Sequence, residues 1–192
     1  MIDCQTTAYS PDRPYAAAKF LPPSWRDYIE GVTAQEVRAR RSAEMVLLHT
    51  MCLARGITPP PLAISAQGKP DFIDSPYHIG IANSDSFAAV ALADAPIGLD
   101  MEAYLPHPEE RIARVSAIFS SEERAALTPL APAARNNLFI ETWVRKEALT
   151  KLTGQGLAAL RRSEKAPPPD FEARVRDANC GVYYYVAAYL AV

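Results

Sequence analysis

The chain has 192 residues, of which 49% are hydrophobic and 22% are charged, a composition typical of a globular protein with a sizeable core. Its net charge of −2 excludes a global attraction to nucleic acid or to an anionic membrane, and no apolar run approaches the ~20 residues of a membrane span. Three widely spaced cysteines, Cys4, Cys52 and Cys180, argue against a disulfide framework or a zinc cluster. The N-terminus lacks the basic-then-apolar order of a signal peptide, so we expect a soluble, cytoplasmic protein.

The predicted elements mix helices and strands without regular βαβ alternation. Residues 33–54 are expected to form a long helix, because Thr33 is a suitable cap and apolar side chains follow at helical spacing. The other predicted elements, in chain order, are strands at 78–82, 87–93 and 97–103, helices at 108–118, 121–128 and 135–153, a polar loop at 158–170 and a last strand from residue 181. This order predicts an α+β fold.

Two acidic residues share one face of the strand IGLDMEAY. Successive strand side chains point to opposite faces, so Asp100 and Glu102 lie together, away from Leu99 and Met101. Carboxylates in this number suit magnesium, which keeps several waters or substrate phosphates as ligands. The alternative is a solvated strand face, which is commoner for an isolated pair of acids.

The predicted helix 135–153 has two charges inside its apolar arc. With Trp143 at zero, Glu147 lies at about 40° and Lys151 at about 80°, between Trp143 and Val144 at about 100°. A core-facing helix normally keeps charges on its opposite side. If the arc packs over the strand, Glu147 supplies a third carboxylate and Lys151 a cation for a phosphate site; otherwise the two form an ordinary surface pair of the i, i+4 type.

Three segments of the chain are informative together: IGLDMEAY, FSSEER and WVRKEALTKLTGQGL. They resemble the signature of a known family, the 4′-phosphopantetheinyl transferases, especially the single-chain Sfp-type group. The matching positions are Gly98, Asp100 and Glu102; Phe119, Ser120 and Glu123; and Trp143, Lys146, Glu147, Ala148, Lys151, Gly154 and Gly156. Weaker similarity upstream, at Arg41-Ser42 and Gly68-Lys69-Pro70, extends the resemblance over roughly residues 38 to 157.

The resemblance implies transfer of the 4′-phosphopantetheine arm of coenzyme A to a serine of an apo acyl or peptidyl carrier protein, with release of adenosine 3′,5′-bisphosphate. Asp100, Glu102 and Glu147 would bind Mg²⁺, or Mn²⁺ in its place. Lys151 would reach a pyrophosphate oxygen, and Glu123 would help to deprotonate the serine.

Other residues would bind the cofactor. The resemblance places Lys146 and Lys151 there, and Arg41, Ser42 and Lys69 at the nucleotide phosphates, for which basic side chains are natural donors. Each residue also has an explanation that involves no ligand: Lys69 would be solvated in a turn, and Arg41 would pair with a neighbouring acid.

One departure from the family concerns residues 84–86. The family usually has Ser-His-Ser there, with the histidine near coenzyme A phosphates, whereas this chain has Ser84, Asp85 and Ser86. The serines still donate hydrogen bonds, but an aspartate repels phosphate. The expected consequence is that this end of the nucleotide is held differently, weakly or not at all.

The resemblance also implies two similar α+β lobes related by a pseudo-twofold, residues 1–95 and 96–192, with coenzyme A between them in a monomeric protein. Two other functions stay open. One is a non-catalytic relative that binds a carrier protein or a nucleotide, and the other is a magnesium-dependent hydrolase acting on a pyrophosphate.

Overall fold

The computed structural model describes residues 1–13, 15–65, 68–154 and 165–191. The chain divides into two compact units, residues 1–97 and 98–191. Helices and sheets occur in both units, in agreement with the predicted α+β class. The described residues include no helix long and apolar enough to cross a membrane.

The first unit is built on a three-stranded antiparallel sheet with the order β1-β5-β4. Its elements are β1 (Ile2–Ala8), a short 3₁₀ helix (Ala16–Phe20), α1 (Pro23–Glu30), α2 (Gln35–Ala54), β2 (Leu62–Ile64), β3 (Pro70–Phe72), β4 (His78–Ser84) and β5 (Phe87–Ala93). β2 and β3 form a separate two-stranded sheet.

The central strand β5 is buried along its whole length. Four of its seven residues are alanines, and such small side chains allow neighbouring elements to approach closely. α2 packs on this sheet, and the core that results contains Trp25, Met45, Leu48 and Leu92. The first unit therefore has a hydrophobic core of its own.

The start of α2 differs from the prediction. Ala34 occupies the N-cap position and makes no side-chain cap bond, so the predicted cap at Thr33 is wrong. Arg38 instead donates to the carbonyls of Val32 and Thr33, at 2.9 and 3.2 Å. The arginine thus orders the turn that precedes the helix.

The second unit contains a sheet with the order β6-β8-β7 and three helices. Its elements are β6 (Ile97–Ala103), α3 (Glu109–Ser116), α4 (Ser121–Leu127), α5 (Pro132–Thr153), β7 (Phe171–Arg176) and β8 (Tyr183–Leu190). α5 packs on β8, and the core between the helices and the sheet contains Phe119, Phe139, Ile140 and Tyr185.

The helices of this unit match the predictions closely. α5 begins at Pro132, earlier than predicted, because proline suits the first turn of a helix. It ends at Thr153, and its C-cap is Gly154, whose φ of 68° lies in the left-handed region. Residues 165–170 of the predicted loop form neither helix nor strand, and residues 155–164 lie outside the described part of the chain. The last strand begins at Tyr183 rather than at residue 181.

Candidate active site in the second unit

Helix α5 lies directly on strand β6 at Gly98. A Cβ atom on Gly98 would be 2.0 Å from the carbonyl oxygen of Ala148 and 2.5 Å from the amide nitrogen of Leu152. Both atoms belong to the helix backbone, so no side-chain rotation would relieve the contact. Glycine is therefore required here, and the close approach brings Asp100, two residues along β6, beside the charged residues of α5.

Asp100 and Lys151 form an ion pair across this contact. The Lys151 Nζ donates to the Asp100 Oδ1 at 2.6 Å. Burial raises the pKa of Asp100, and the nearby Lys151 ammonium opposes that rise. The side chain of Lys151 is 38% exposed whereas that of Asp100 is 10% exposed, so the lysine offers its charge to solvent or to a ligand.

Glu147 is the carboxylate whose environment suits a cation best. Its Oε1 atom is buried and has no hydrogen-bond partner, a costly state for a charged oxygen. Burial and the negative charge of Asp100 raise the pKa of Glu147, and Glu102 adds to the effect. The charges of Asp100 and Glu102 thus both act on Glu147, so the three predicted metal ligands interact electrostatically.

The oxygen ligands that these three carboxylates offer suit a hard divalent ion. Carboxylate oxygens are the ligands that Mg²⁺ and Mn²⁺ prefer, and the buried Glu147 Oε1 has no hydrogen-bond partner in the described part of the protein. Within the described residues, however, no three acidic, histidine or cysteine side chains converge closely enough to form a metal-binding group. The cation at Asp100 in this structure is the Lys151 ammonium.

Glu123 and Lys146 lie in the interior of the unit. The Lys146 Nζ is 3.1 Å from the Glu123 Oε2, and the two side chains are only 1% and 6% exposed. Glu123 also completes a capping box: its Oε2 accepts from the backbone nitrogen of Ser120 at 2.7 Å, while the Ser120 Oγ accepts from the Glu123 nitrogen. Glu123 was predicted to help deprotonate the serine and Lys146 to bind the cofactor. In the structure the two side chains form an ion pair with each other.

Two of the predicted nucleotide contacts lie on α2 of the first unit. Ser42 is fully buried; its hydroxyl donates to the carbonyl of Ala39 at 2.7 Å and accepts from the Tyr15 nitrogen at 2.8 Å. A phosphate contact would require the Ser42 donor bond to break. Arg41 stacks on the Tyr28 ring, 4.0 Å from its centroid, and donates from Nη1 to the Tyr28 carbonyl.

The remaining predicted contact, Lys69, donates from Nζ to the carbonyl of Ile97 at 2.8 Å. Gly68, immediately before it, has a φ of 82°, a left-handed conformation that glycine adopts without strain. The Gly-Lys-Pro element therefore forms a turn before β3, as its composition indicates.

Asp85 lies in the tight turn between β4 and β5. Its φ is 49°, a left-handed conformation that aspartate tolerates better than most residues. Tyr9 fixes this turn, donating from its hydroxyl to the Asp85 carbonyl at 2.6 Å. The Asp85 side chain is exposed and Ser84 is buried, so turn chemistry by itself accounts for an aspartate at this position.

A network on α5 and β7 was not predicted. Arg145 donates to the Tyr185 hydroxyl at 2.8 Å and to Glu172 at 2.9 Å, and the Tyr185 hydroxyl also donates to Glu172. In a second set, Tyr104, which follows β6, and Arg174 of β7 both donate to Glu141 of α5. The signal in the sequence is the alternation of charged and apolar residues over 171–176, which indicates a strand with a polar face.

The match to a known protein family lies almost entirely in the second unit. Residues 96–183 match the family model of the 4′-phosphopantetheinyl transferase superfamily. This part of the chain is similar to that superfamily. The matched range includes the carboxylates of β6, the Glu123–Lys146 pair and the charged positions of α5.

Several curated relatives are named 4′-phosphopantetheinyl transferases. Psf-1 from Bacillus pumilus is 32% identical over 92 residues, 47% of this chain and 38% of the relative. AcpT from Escherichia coli K12 is 29% identical over 137 residues, 70% of this chain and 66% of the relative. A Bacillus subtilis enzyme is 27% identical over 137 residues, 57% of its own length. The chain thus spans less than two thirds of the length of these superfamily members.

The last position of the family motif lies two residues beyond the described segment that ends at Gly154. Gly156, which matches the glycine turn after the helix, lies outside the described residues.

Proposed function

We propose that the chain transfers the 4′-phosphopantetheine arm of coenzyme A to a serine hydroxyl of an apo carrier protein. The observation that carries the proposal is the buried, unpartnered Glu147 Oε1 beside Asp100 and the exposed Lys151. A domain similar to that superfamily, with three coupled carboxylates and an adjacent ammonium, has the charges that a metal-bound pyrophosphate requires.

The proposed metal ligands are Asp100, Glu102 and Glu147. A bound Mg²⁺ or Mn²⁺ would neutralise pyrophosphate charge and polarise the phosphorus under attack. Lys151 would then contact a pyrophosphate oxygen, for which its partly exposed side chain is suited. In this account, Lys151 compensates Asp100 until the metal and the substrate bind.

The reaction is a phosphoryl transfer. The serine oxygen forms a bond to the phosphorus that carries the pantetheine arm, and the bond from that phosphorus to the bridging pyrophosphate oxygen breaks. The serine hydroxyl releases its proton to solvent water, and adenosine 3′,5′-bisphosphate leaves with the bonding electrons and the charge that Lys151 stabilises. The protein contributes positioning and charge, which govern phosphoryl transfer.

The nucleotide end is assigned to the first unit, with Arg41 and Lys69 as phosphate donors. A guanidinium carries five donor hydrogens and an ammonium three, so each can contact a phosphate in addition to protein acceptors. Ser42 and Ser84 are included as further hydrogen-bond donors to the nucleotide phosphates on the basis of the family resemblance. A monomeric cytoplasmic enzyme and the pseudo-twofold relation between residues 1–95 and 96–192 stay predictions.

The test uses the purified chain, coenzyme A, Mg²⁺ and an apo carrier protein, with two readouts. Mass spectrometry shows whether the carrier gains the phosphopantetheine arm, and chromatography shows whether coenzyme A is consumed. Gain of the arm supports transfer. Consumption with an unmodified carrier indicates the hydrolase, and binding of carrier or nucleotide without either change indicates a non-catalytic relative.

The proposed metal ligands are tested separately. Asp100→Asn, Glu102→Gln and Glu147→Gln should each lower the transfer rate at least about 100-fold, because each removes an anionic metal ligand. Glu110→Gln, on the exposed face of α3, is the matched control and should leave the rate unchanged. Wild-type rates in all three ligand variants would contradict the site.

A further inference from the structure

A buried ion pair immediately precedes Glu147 on α5. Lys146 and Glu123 lie 3.1 Å apart and are almost fully buried. Lysine and glutamate are rarely buried unless they are paired, because desolvation of each charge is costly. A buried pair adjacent to Glu147, one of the proposed metal ligands, therefore indicates a functional role.

The Glu123 carboxylate joins three parts of the second unit. Its Oε2 contacts Lys146 of α5 and accepts from the Ser120 nitrogen at the start of α4, and its Oε1 accepts from the Ala166 nitrogen at 3.1 Å. Both oxygens are thus engaged with donors. Three of the roughly four acceptor sites of the carboxylate are therefore occupied, and the side chain is only 6% exposed.

The third part of this junction is itself anchored to the sheet. The carbonyl of Pro167 accepts from the Tyr189 hydroxyl at 2.7 Å, and Asp170 accepts from the Leu190 nitrogen at 2.8 Å. Residues 166–170 are therefore attached to β8 at two points and to Glu123 at a third. Through this attachment the ion pair ties α5 and α4 to a strand of the central sheet.

Lys146 and Glu147 leave α5 in directions that differ by about 100°. One points to Glu123 in the interior, and the other carries the unpartnered Oε1 beside Asp100. Because the two residues are adjacent, a rotation of the helix that loosens the first contact also turns Glu147. The buried pair therefore fixes the direction in which Glu147 points.

We propose that Glu123 and Lys146 are positioning residues: the pair locks the turn of α5 that presents Glu147 to the β6 carboxylates, and Glu123 does not accept the serine proton. This inference rests on the proposed function, since Glu147 is positioned for metal-dependent transfer. It replaces the predicted roles of the two residues with one shared role.

The test compares the wild type with Glu123→Gln, Lys146→Met and the double variant. Glutamine keeps the capping box at position 123, and methionine fills the volume of the lysine stem without its charge. Glu123→Gln removes the carboxylate charge beside the buried Lys146 ammonium and should lower kcat about 100-fold, because small misplacements of catalytic groups cost this much. Adding Lys146→Met should restore at least about tenfold of that loss, because it also removes the buried positive charge that Glu123 balanced.

Mn²⁺ affinity, measured by electron paramagnetic resonance, is the second readout. It should fall in Glu123→Gln and recover in the double variant, while KM for the carrier protein changes little. Glu122→Gln and Lys165→Met, at exposed neighbouring positions, are the matched controls and should behave as the wild type. A purely structural role would lower the folded fraction without this coupled change in kcat and metal affinity, so every rate is divided by the folded fraction from near-ultraviolet circular dichroism.

Loss of kcat in the double variant equal to that in Glu123→Gln would overturn the proposal, because a missing proton acceptor cannot be restored by a neighbouring substitution. If Glu123→Gln does not fold, the double variant decides by itself: a kcat within about tenfold of the wild type supports positioning, and a loss of 100-fold or more supports proton transfer.

The outcomes also separate this inference from the proposed function. A wild type that binds Mn²⁺ but transfers nothing would refute the transferase proposal alone, and the Mn²⁺ affinities of the four proteins would still decide the positioning role. A wild type that neither binds Mn²⁺ nor modifies the carrier would refute both.

Discussion

Gly98→Ala should push α5 away from β6. The new Cβ would lie 2.0 Å from the Ala148 carbonyl oxygen, 2.5 Å from the Leu152 nitrogen and 2.8 Å from the Leu152 Cβ. The contact to Ala148 must therefore widen by at least about 1.4 Å to reach the 3.4 Å of an ordinary contact. Since the two closest atoms are helix backbone, the whole helix has to shift or tilt.

The energetic cost follows from this displacement. Overpacking a core typically costs 1–3 kcal/mol, and a clash with backbone belongs at the upper end, about 3 kcal/mol. For a chain of this size such a loss corresponds to a fall in Tm of roughly 6–12 °C. The shift also moves Lys151 from Asp100, which it contacts at 2.6 Å, so we expect a loss of transfer rate of about 100-fold at a temperature where the variant is folded.

Gly56→Ala is the control for a glycine substitution without a clash. Gly56 has a φ of 68°, and a Cβ atom added there would have nothing within 4 Å, so alanine costs about 1–2 kcal/mol of backbone strain and should leave transfer intact. Thermal unfolding and initial transfer rates are measured on all three proteins. A Gly98→Ala variant with the Tm and the rate of the wild type would refute the close packing of α5 on β6.

Three further predictions concern single charged residues. Lys151→Ala should lower kcat more than it changes coenzyme A affinity, because its charge acts chiefly on the leaving group; an unchanged kcat with a raised KM would instead assign it to ground-state binding. If the exposed turn faces a phosphate, Asp85→His should tighten coenzyme A binding by up to about fivefold, and more at low pH. Isothermal titration with coenzyme A and with its dephospho form identifies which phosphate the turn contacts. Equal affinities of both proteins for both ligands would show that the turn does not contact the nucleotide. Hydrogen bonds from Tyr185 and Arg145 lower the pKa of Glu172 from 4.5, so this group stabilises the fold above about pH 4.5 and loses that effect as the pH falls through its lower folded pKa. Urea unfolding should therefore show Glu172→Gln less stable than the wild type near neutral pH and equal to it in acid, and a difference that persists in acid would contradict the assignment.

The sequence predicts the β6 side of the site well and the α5 side in part. Alternation along a strand is a strict rule, and Asp100 and Glu102 obey it. On α5 the apolar arc located Glu147 and Lys151 but missed Lys146, at about 300° on the same wheel. The helix is buried on several sides, with Thr142, Lys146 and Thr150 all in the interior, so one arc cannot describe it.

The turn at Asp85 shows a different limit. In the sequence, residues 84–86 align with a family strand element, against which the aspartate is an anomaly. In the structure, the residue occupies a two-residue turn with a left-handed φ of 49°, where aspartate is a favoured residue. The turn signal is present in the sequence, but its geometry depends on the pairing of β4 with β5 and on the bond from Tyr9.

Four strands, β1, β2, β3 and β7, were not predicted. Two of them, β7 and β1, were missed for opposite reasons. β7 alternates apolar and charged residues, Phe171 to Arg176, and its burial alternates in the same way, so the pattern was readable. β1, Ile2–Ala8, is polar and only partly buried. It is ordered because it pairs with the buried strand β5 along its length, a long-range contact that no local pattern contains.

The central claim is that Asp100, Glu102 and Glu147 hold the metal for transfer to a carrier protein. The most direct measurement is the rate at which an apo carrier protein gains the phosphopantetheine mass, titrated with Mg²⁺ for the wild type and for Glu147→Gln. We expect no gain in excess chelator, a saturable dependence on Mg²⁺ in the wild type, and at least about a 100-fold lower rate in Glu147→Gln. Full transfer by the wild type in excess chelator, or equal titration curves for the two proteins, would contradict the account.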